Sequence, residues 1–181
     1  DGRALVEQPN QLLIQRIDSD EPTYRYHNLL REFLVGELER REPGSLKLVN
    51  SRAADWYASR GAWERAIDHA LAAGEEAAAA RYIVSASLTT HYRGQTATVE
   101  RWLDRFETRS FVGYTTLAVI AAWMYLLVGR PEDADRMADI ADRAVFHGPP
   151  GDGSASFASQ RAMLRTIMFR NGPREGLANA R

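Results

Sequence analysis

Seven residues of one stretch reappear in another at a constant distance. Ala54, Tyr57, Gly61, Glu64, Ala66, Ala70 and Ala73 are answered by Ala122, Tyr125, Gly129, Glu132, Ala134, Ala138 and Ala141, each 68 positions on. A chain with such a period stacks like units side by side instead of wrapping every element round one centre. The residue types say what the unit is. Alanine is the strongest helix former, and small side chains at Ala54, Ala66 and Ala70 let two helices approach while the ring of Tyr57 fills the space alongside. Gly61 and Gly129 stand where a helix ends in the left-handed region, and Pro131 suits the first turn of the helix that follows.

Sixty-eight is twice 34, the length of a tetratricopeptide repeat, in which helix A and helix B pack antiparallel. The implied middle copy is degenerate: Arg93-Gly94 falls one residue out of register with Arg60-Gly61, and Val99 and Leu103 lie near the small positions. The spacing predicts helix pairs over 45–60 with 62–73, 75–92 with 95–107, 113–128 with 131–145, and 155–171 with 173–181, where Pro173 after Gly172 repeats the Gly-Pro start. Between the third and fourth pairs, His147-Gly-Pro-Pro-Gly-Asp-Gly-Ser154 holds too many breakers for regular structure and reads as an exposed, mobile loop.

Only residues 1–26 lack a helical pattern. Gln11–Ile17 and Thr23–Tyr26, separated by Asp18-Ser-Asp-Glu-Pro22, read as two short strands joined by a turn. From His27 the period changes, with Leu29, Leu30, Phe33, Leu34 and Leu38 at helical spacing before Pro43-Gly44 breaks the chain. The expected architecture is therefore mainly α: an antiparallel helix-pair solenoid over 45–181, preceded by a small β-hairpin and helix over 1–44.

The composition removes whole classes of chemistry. With 23 Lys+Arg against 24 Asp+Glu the net charge is −1, and a sequence-independent phosphate-binding surface needs clustered excess cations. The absence of Cys excludes disulfides, thiolate zinc sites and a cysteine nucleophile. No secretory signal is read at the N-terminus, which lacks a starting Met, and the chain reads as a piece of a longer, cytoplasmic protein. Ser110–Gly129 is charge-free for about the length of a membrane span, but its Gly, Tyr and Thr content and the charged run after it fit a helix covered on both sides by neighbours.

No phosphate-binding loop, His-Glu-x-x-His or Gly-x-Ser-x-Gly occurs, and His27, His69, His91 and His147 stand far apart. Asp68-His69, adjacent on a helix and about 100° apart in direction, reads as a solvated face, as do Glu75-Glu76 and Asp133/Asp135. Trp56, Trp63 and Trp102 are expected in the core. Trp123 follows the small position Ala122 on the side of helix A that lines a solenoid's groove, and Asp55 is its equivalent in the first copy. The candidate ligand or partner groove is therefore assigned to Asp55, Ser59, Tyr92 and Trp123, with no catalytic or metal-ligating residue.

Tyr24-Arg-Tyr-His-Asn-Leu-Leu-Arg-Glu-Phe-Leu34, Ala53-Ala-Asp-Trp-Tyr57, Gly61, Ala66-Ile-Asp-His-Ala-Leu-Ala-Ala-Gly74 and Val99-Glu-Arg-Trp-Leu-Asp-Arg-Phe106 resemble the large ATP-dependent LuxR-type regulators related to the maltose activator MalT. The resemblance covers about residues 10–145. It implies that 1–44 end a winged-helix segment and that 45–181 begin a tetratricopeptide-like superhelix. It also implies an ATPase module upstream, which would hold the ATP, and usually a DNA-reading helix-turn-helix downstream; neither motif lies in this chain, so no cofactor, nucleic acid or membrane contact is expected of it. The implied role is non-catalytic: a superhelix whose groove binds a small-molecule inducer or a regulatory protein, and which contacts other domains of its parent. The same cassette also serves as a regulatory region of serine/threonine protein kinases. A rival of another class, an all-helical enzyme using Asp55 and Asp68, finds no clustered acid/base signature.

Overall fold

The computed structural model describes residues 14–16, 24–146 and 148–168. The chain divides into two compact units after Val49. In the first, β1 (Ile14–Arg16) pairs antiparallel with β2 (Tyr24–Tyr26), Ile14 opposite Tyr26 and Arg16 opposite Tyr24. Helix α1 (Asn28–Arg41) follows at once. His27 caps it, Nδ1 accepting from the Leu29 amide at 3.4 Å, and Arg40 and Arg41 both reach back to Glu37. None of its residues is buried, and Leu29 and Phe33 are exposed.

The second unit is a run of helix pairs. Helix α2 (Ser45–Ala58) leads into it from the first unit and is followed by α3 (Trp63–Ala72), α4 (Glu76–Tyr92), α5 (Thr96–Leu103), a 3-10 turn at Thr108–Val112, α6 (Thr115–Leu127), α7 (Pro131–Arg143) and α8 (Phe157–Met168). The helix spans expected from the repeat agree with these within a few residues, except that 95–107 closes early and hands over to the 3-10 turn. The partner expected for α8, at 173–181, lies outside the described residues. Among the described helices, α3 packs on α4, α4 on α5 and α6, α5 on α6, α6 on α7 and α8, and α7 on α8. Principal neighbours are one or two places apart along the chain, which is the order of a stack.

Three turns show that the units are alike. Gly61, Gly94 and Gly129 take φ of +69°, +77° and +77°, and each closes its helix with the same pair of backbone bonds. The amides of Ala62, Gln95 and Arg130 donate to the carbonyls of Tyr57, Thr90 and Tyr125 at 3.0, 3.1 and 2.8 Å, and the glycine amides donate to Ala58, His91 and Leu126. The middle copy is thus complete but displaced, 33 residues after the first and 35 before the third. In that register Ser87 replaces Ala54, Thr90 replaces Tyr57, and Val99, Leu103 and Phe106 replace Ala66, Ala70 and Ala73. All five are buried. The bulk given up by the first helix is restored by the second, and Ser87 keeps its hydroxyl satisfied on the Ile83 carbonyl at 2.5 Å.

Helix α6 forms the centre of the stack, with Leu117–Ala122, Met124 and Tyr125 all buried. Neighbours on both sides account for its charge-free sequence. Among the described residues no helix is long and apolar enough to cross a membrane.

Candidate functional site

Helices α4 and α6 lie side by side, and the segment after α7 folds back over the channel between them. Pro150 is buried, and a Cβ on Gly151 would stand 3.6 Å from Cγ1 of Val84. The segment was expected to be exposed and irregular, and Gly148, Pro149, Gly151 and Gly153 are exposed and outside any helix or strand; His147 is outside the described residues, and Pro150 and Asp152 are where the segment is held. Asp152 makes a tight local turn, accepting from the Ser154 amide at 2.9 Å and hydroxyl at 3.0 Å, and it also accepts from the Gln160 amide nitrogen on α8 at 2.6 Å. Side-chain bonding, absent from a reading of Gly and Pro alone, is what fixes it.

Two cavities flank this crossing. One, of about 430 Å³, is lined by Ala80, Arg81, Val84, Tyr114, Phe146 and Pro150. The other, of about 70 Å³, lies between Tyr92, Trp123, Asp152, Ser154, Gln160 and Met163. Tyr92, 78% exposed, and half-buried Trp123 therefore share a cavity wall.

Asp55 and Ser59 lie elsewhere, on α2 and the turn that ends it. The Asp55 carboxylate accepts from the Tyr82 hydroxyl at 2.7 Å, and Ser59 donates to the Trp56 carbonyl at 2.8 Å. Partial burial and the Asp55 carboxylate push the Tyr82 phenol up to about 12, burial being the larger cause.

Two expectations about aromatic and charged residues change. Trp56 was expected in the core and is 48% exposed, with the Arg60 guanidinium 3.7 Å over its ring. His69 was expected on a solvated face. It is half-buried, stacked on Tyr57 with centroids 5.3 Å apart and bonded through Nδ1 to the side-chain Oδ1 of Asn50 at 2.8 Å, which ties α3 to α2. Its neighbour Asp68 is exposed and pairs with Arg105.

Sequence reading missed a second polar assembly. Arg130 binds Glu100 at 3.1 Å, Asp104 at 2.8 Å and Asp133 at 2.7 Å, and lies over the Tyr125 ring, whose hydroxyl donates to Asp104. Burial, then the Asp104 charge, raises the Tyr125 phenol, and the Arg130 bond lowers the Asp133 carboxyl. This assembly clamps α5, α6 and α7 together. Among the described residues, no group of three or more His, Asp or Glu is placed to hold a metal ion.

Residues 2–46 match the family described as the MalT winged helix domain. Over that stretch the chain is similar to MalT. It is 23% identical over 126 residues to the HTH-type transcriptional regulator MalT of Vibrio parahaemolyticus, covering 68% of this chain and 14% of that protein. It is 24% identical over 133 residues to the HTH-type transcriptional regulator AlkS of Pseudomonas putida, covering 71% of this chain and 15% of that one. It is also 29% identical over 169 residues to the serine/threonine-protein kinase PknK of Mycobacterium tuberculosis, covering 92% of this chain and 15% of the kinase. The chain thus spans about 15% of the length of these curated relatives. No solved structure matches it.

Proposed function

We propose that this chain is the signal-receiving part of a larger bacterial regulator, a helical module that recognises a small molecule or a protein segment in the channel between α4 and α6 and passes its occupancy to other domains of the parent. The observation that carries the reading is the channel itself: two cavities on neighbouring helices of a stack, with Tyr92 and Trp123 in one wall and a segment of the same chain lying across. An occupant that prefers one arrangement of that segment shifts the equilibrium between the arrangements, which is how a non-catalytic module signals. The similarity to MalT and AlkS supports a LuxR-type parent whose output is transcription, with ATP held by its upstream module.

A second parent has its own support. The PknK match extends over 92% of the chain, further than that of either transcriptional regulator, and favours a module that regulates a protein kinase. The parent reading frame distinguishes the two, through a kinase domain upstream or a helix-turn-helix downstream.

The role in recognition is tested with Tyr92→Ala in the parent protein. Tyr92 is mostly exposed, so the change should leave folding untouched by circular dichroism. The parent's output should then stop following its signal. An output that follows the signal unchanged, or substrate turnover by this chain alone, overturns the reading.

A further inference from the structure

Gln160, one of the residues that line the smaller cavity, carries an unsatisfied buried acceptor. Gln160 is 96% buried, since only 4% of its surface is exposed, and its Nε2 is committed to Asp152 at 2.6 Å. That bond fixes which end of the amide is which, because only the nitrogen can donate to a carboxylate. Oε1 is therefore the free end, and it is buried with no hydrogen-bond partner among the described residues. Such an atom costs free energy unless something donates to it. Its neighbour Asp152 accepts from Ser154 twice and from Gln160 once, all neutral donors. Among the described residues no Arg, Lys or His forms an ion pair with Asp152. The same small space is bordered by Trp123 and Tyr92, whose ring faces attract cations.

From this arrangement we propose that the cavity between α4, α6 and α8 is a binding site for a primary ammonium group on an aliphatic stem, received by Gln160 Oε1 and the Asp152 carboxylate. Each requirement of that head group is met. It is all donor and no acceptor, which suits the carbonyl oxygen and a carboxylate that no cation among the described residues pairs with. It is compact: a cavity of about 70 Å³, several times the roughly 10–15 Å³ that one water needs by the same measure, has room for an ammonium and its nearest methylenes. A carboxylate or phosphate would be repelled by the Asp152 carboxylate and bring no donor to Oε1, and a purely apolar group would leave Oε1 unsatisfied. The stem continues outward past Tyr92 and Met163, both exposed. The head group belongs either to a free alkylamine or to a lysine side chain of a partner protein.

The inference rests on the channel being a recognition surface and narrows what it recognises. It is tested on the full chain labelled with 5-fluorotryptophan, by titrating n-butylammonium and following the fluorine resonance of Trp123, with n-butanol and butyrate as uncharged and anionic isosteres. Butylammonium should shift Trp123 in a saturable way and leave Trp56, Trp63 and Trp102 unmoved, while the isosteres shift nothing. Asp152→Asn and Gln160→Met should each weaken the response at least tenfold. The three other tryptophan resonances report whether each variant is folded, and if neither folds, the comparison of amine with alcohol on the unaltered chain decides. Tighter binding of Nα-acetyl-lysine amide than of butylammonium assigns the head group to a protein side chain, and equal binding assigns it to a free amine; both support the site. Butanol binding as well as butylammonium, or no saturable shift at all, overturns it. A Tyr92→Ala parent that loses its response while butylammonium fails to bind removes this site and leaves the wider reading standing.

Discussion

Helix α2 and helix α6 occupy the same place in their hairpins and share Ala, Tyr and Gly at matching positions, but α6 is buried along most of its length and α2 buries only Ala54. Their turns are the same, with one backbone geometry and the same two hydrogen bonds. The difference comes from what stands beside them. Helix α6 has α4 and α5 before it and α7 and α8 after it, whereas α2 opens the run. The repeated residues build the hairpin, and position in the stack decides how much of it is removed from water.

Met124 and Trp56 are 68 residues apart and equivalent in the repeat, and they give the largest contrast. Met124→Ala should destabilise the chain by about 2–5 kcal/mol, the usual cost of emptying a sealed core position. Trp56→Ala should cost no more than about 1 kcal/mol, since half the ring is already in water. Urea denaturation of the two variants checks the difference, and equal losses would show that depth in the stack does not govern stability.

The turns should behave in the opposite way. Gly61→Ala and Gly129→Ala each force a side chain into the left-handed region with no closer obstacle than 4.0 Å, so both should lose about 1–2 kcal/mol. A much larger loss at Gly129 would mean that burial of the stack reaches into the turn.

Arg130 has no counterpart in the first hairpin, where Ala62 takes its place. Arg130→Ala should cost about 1 kcal/mol at neutral pH, discounted because the guanidinium is a third exposed, and the loss should shrink in high salt. The Asp133 carboxyl is lowered in the folded chain, so its contribution is complete above the unfolded value near 4 and disappears as pH falls through the folded one. The gap between wild type and variant should therefore narrow in acid; a gap constant down to pH 2 would remove Asp133 from the clamp.

The smallest effect is spectroscopic. Tyr82 is held up to about 12, so its neutral form favours folding below pH 10 and that preference is lost as pH rises through the folded value. Asp55→Asn should move the Tyr82 titration, followed at 295 nm, back toward 10 without reaching it, because burial is the larger cause. An unmoved titration would deny the Asp55–Tyr82 bond.

The hairpins were legible because their signals are local: alanine spacing, an aromatic near the helix end, a glycine that closes it. The middle copy was harder to read, as it exchanges Tyr57 for Thr90 and Ala70 for Leu103 and shifts by one residue, conserving volume across two helices instead of identity along one. Trp56 was misjudged because the repeat pattern fixes a residue's direction and says nothing of whether a neighbour covers it. In the candidate site, Tyr92 and Trp123 carry sequence signals as aromatics on first helices, whereas Asp55 turns out to serve Tyr82. The Gln160–Asp152 pair had no signal to find, since it joins a breaker-rich segment to a helix eight residues on through side chains alone.

Pro150 and Gly151 are covalently continuous with the ends of α7 and α8, so the lintel over the channel is hung between one helix pair and the start of the next. A guest that lifts it pulls on both posts at once. Under the proposed role, the effect of such a guest would need no route through the interior, since the strain would fall directly on α7 and α8.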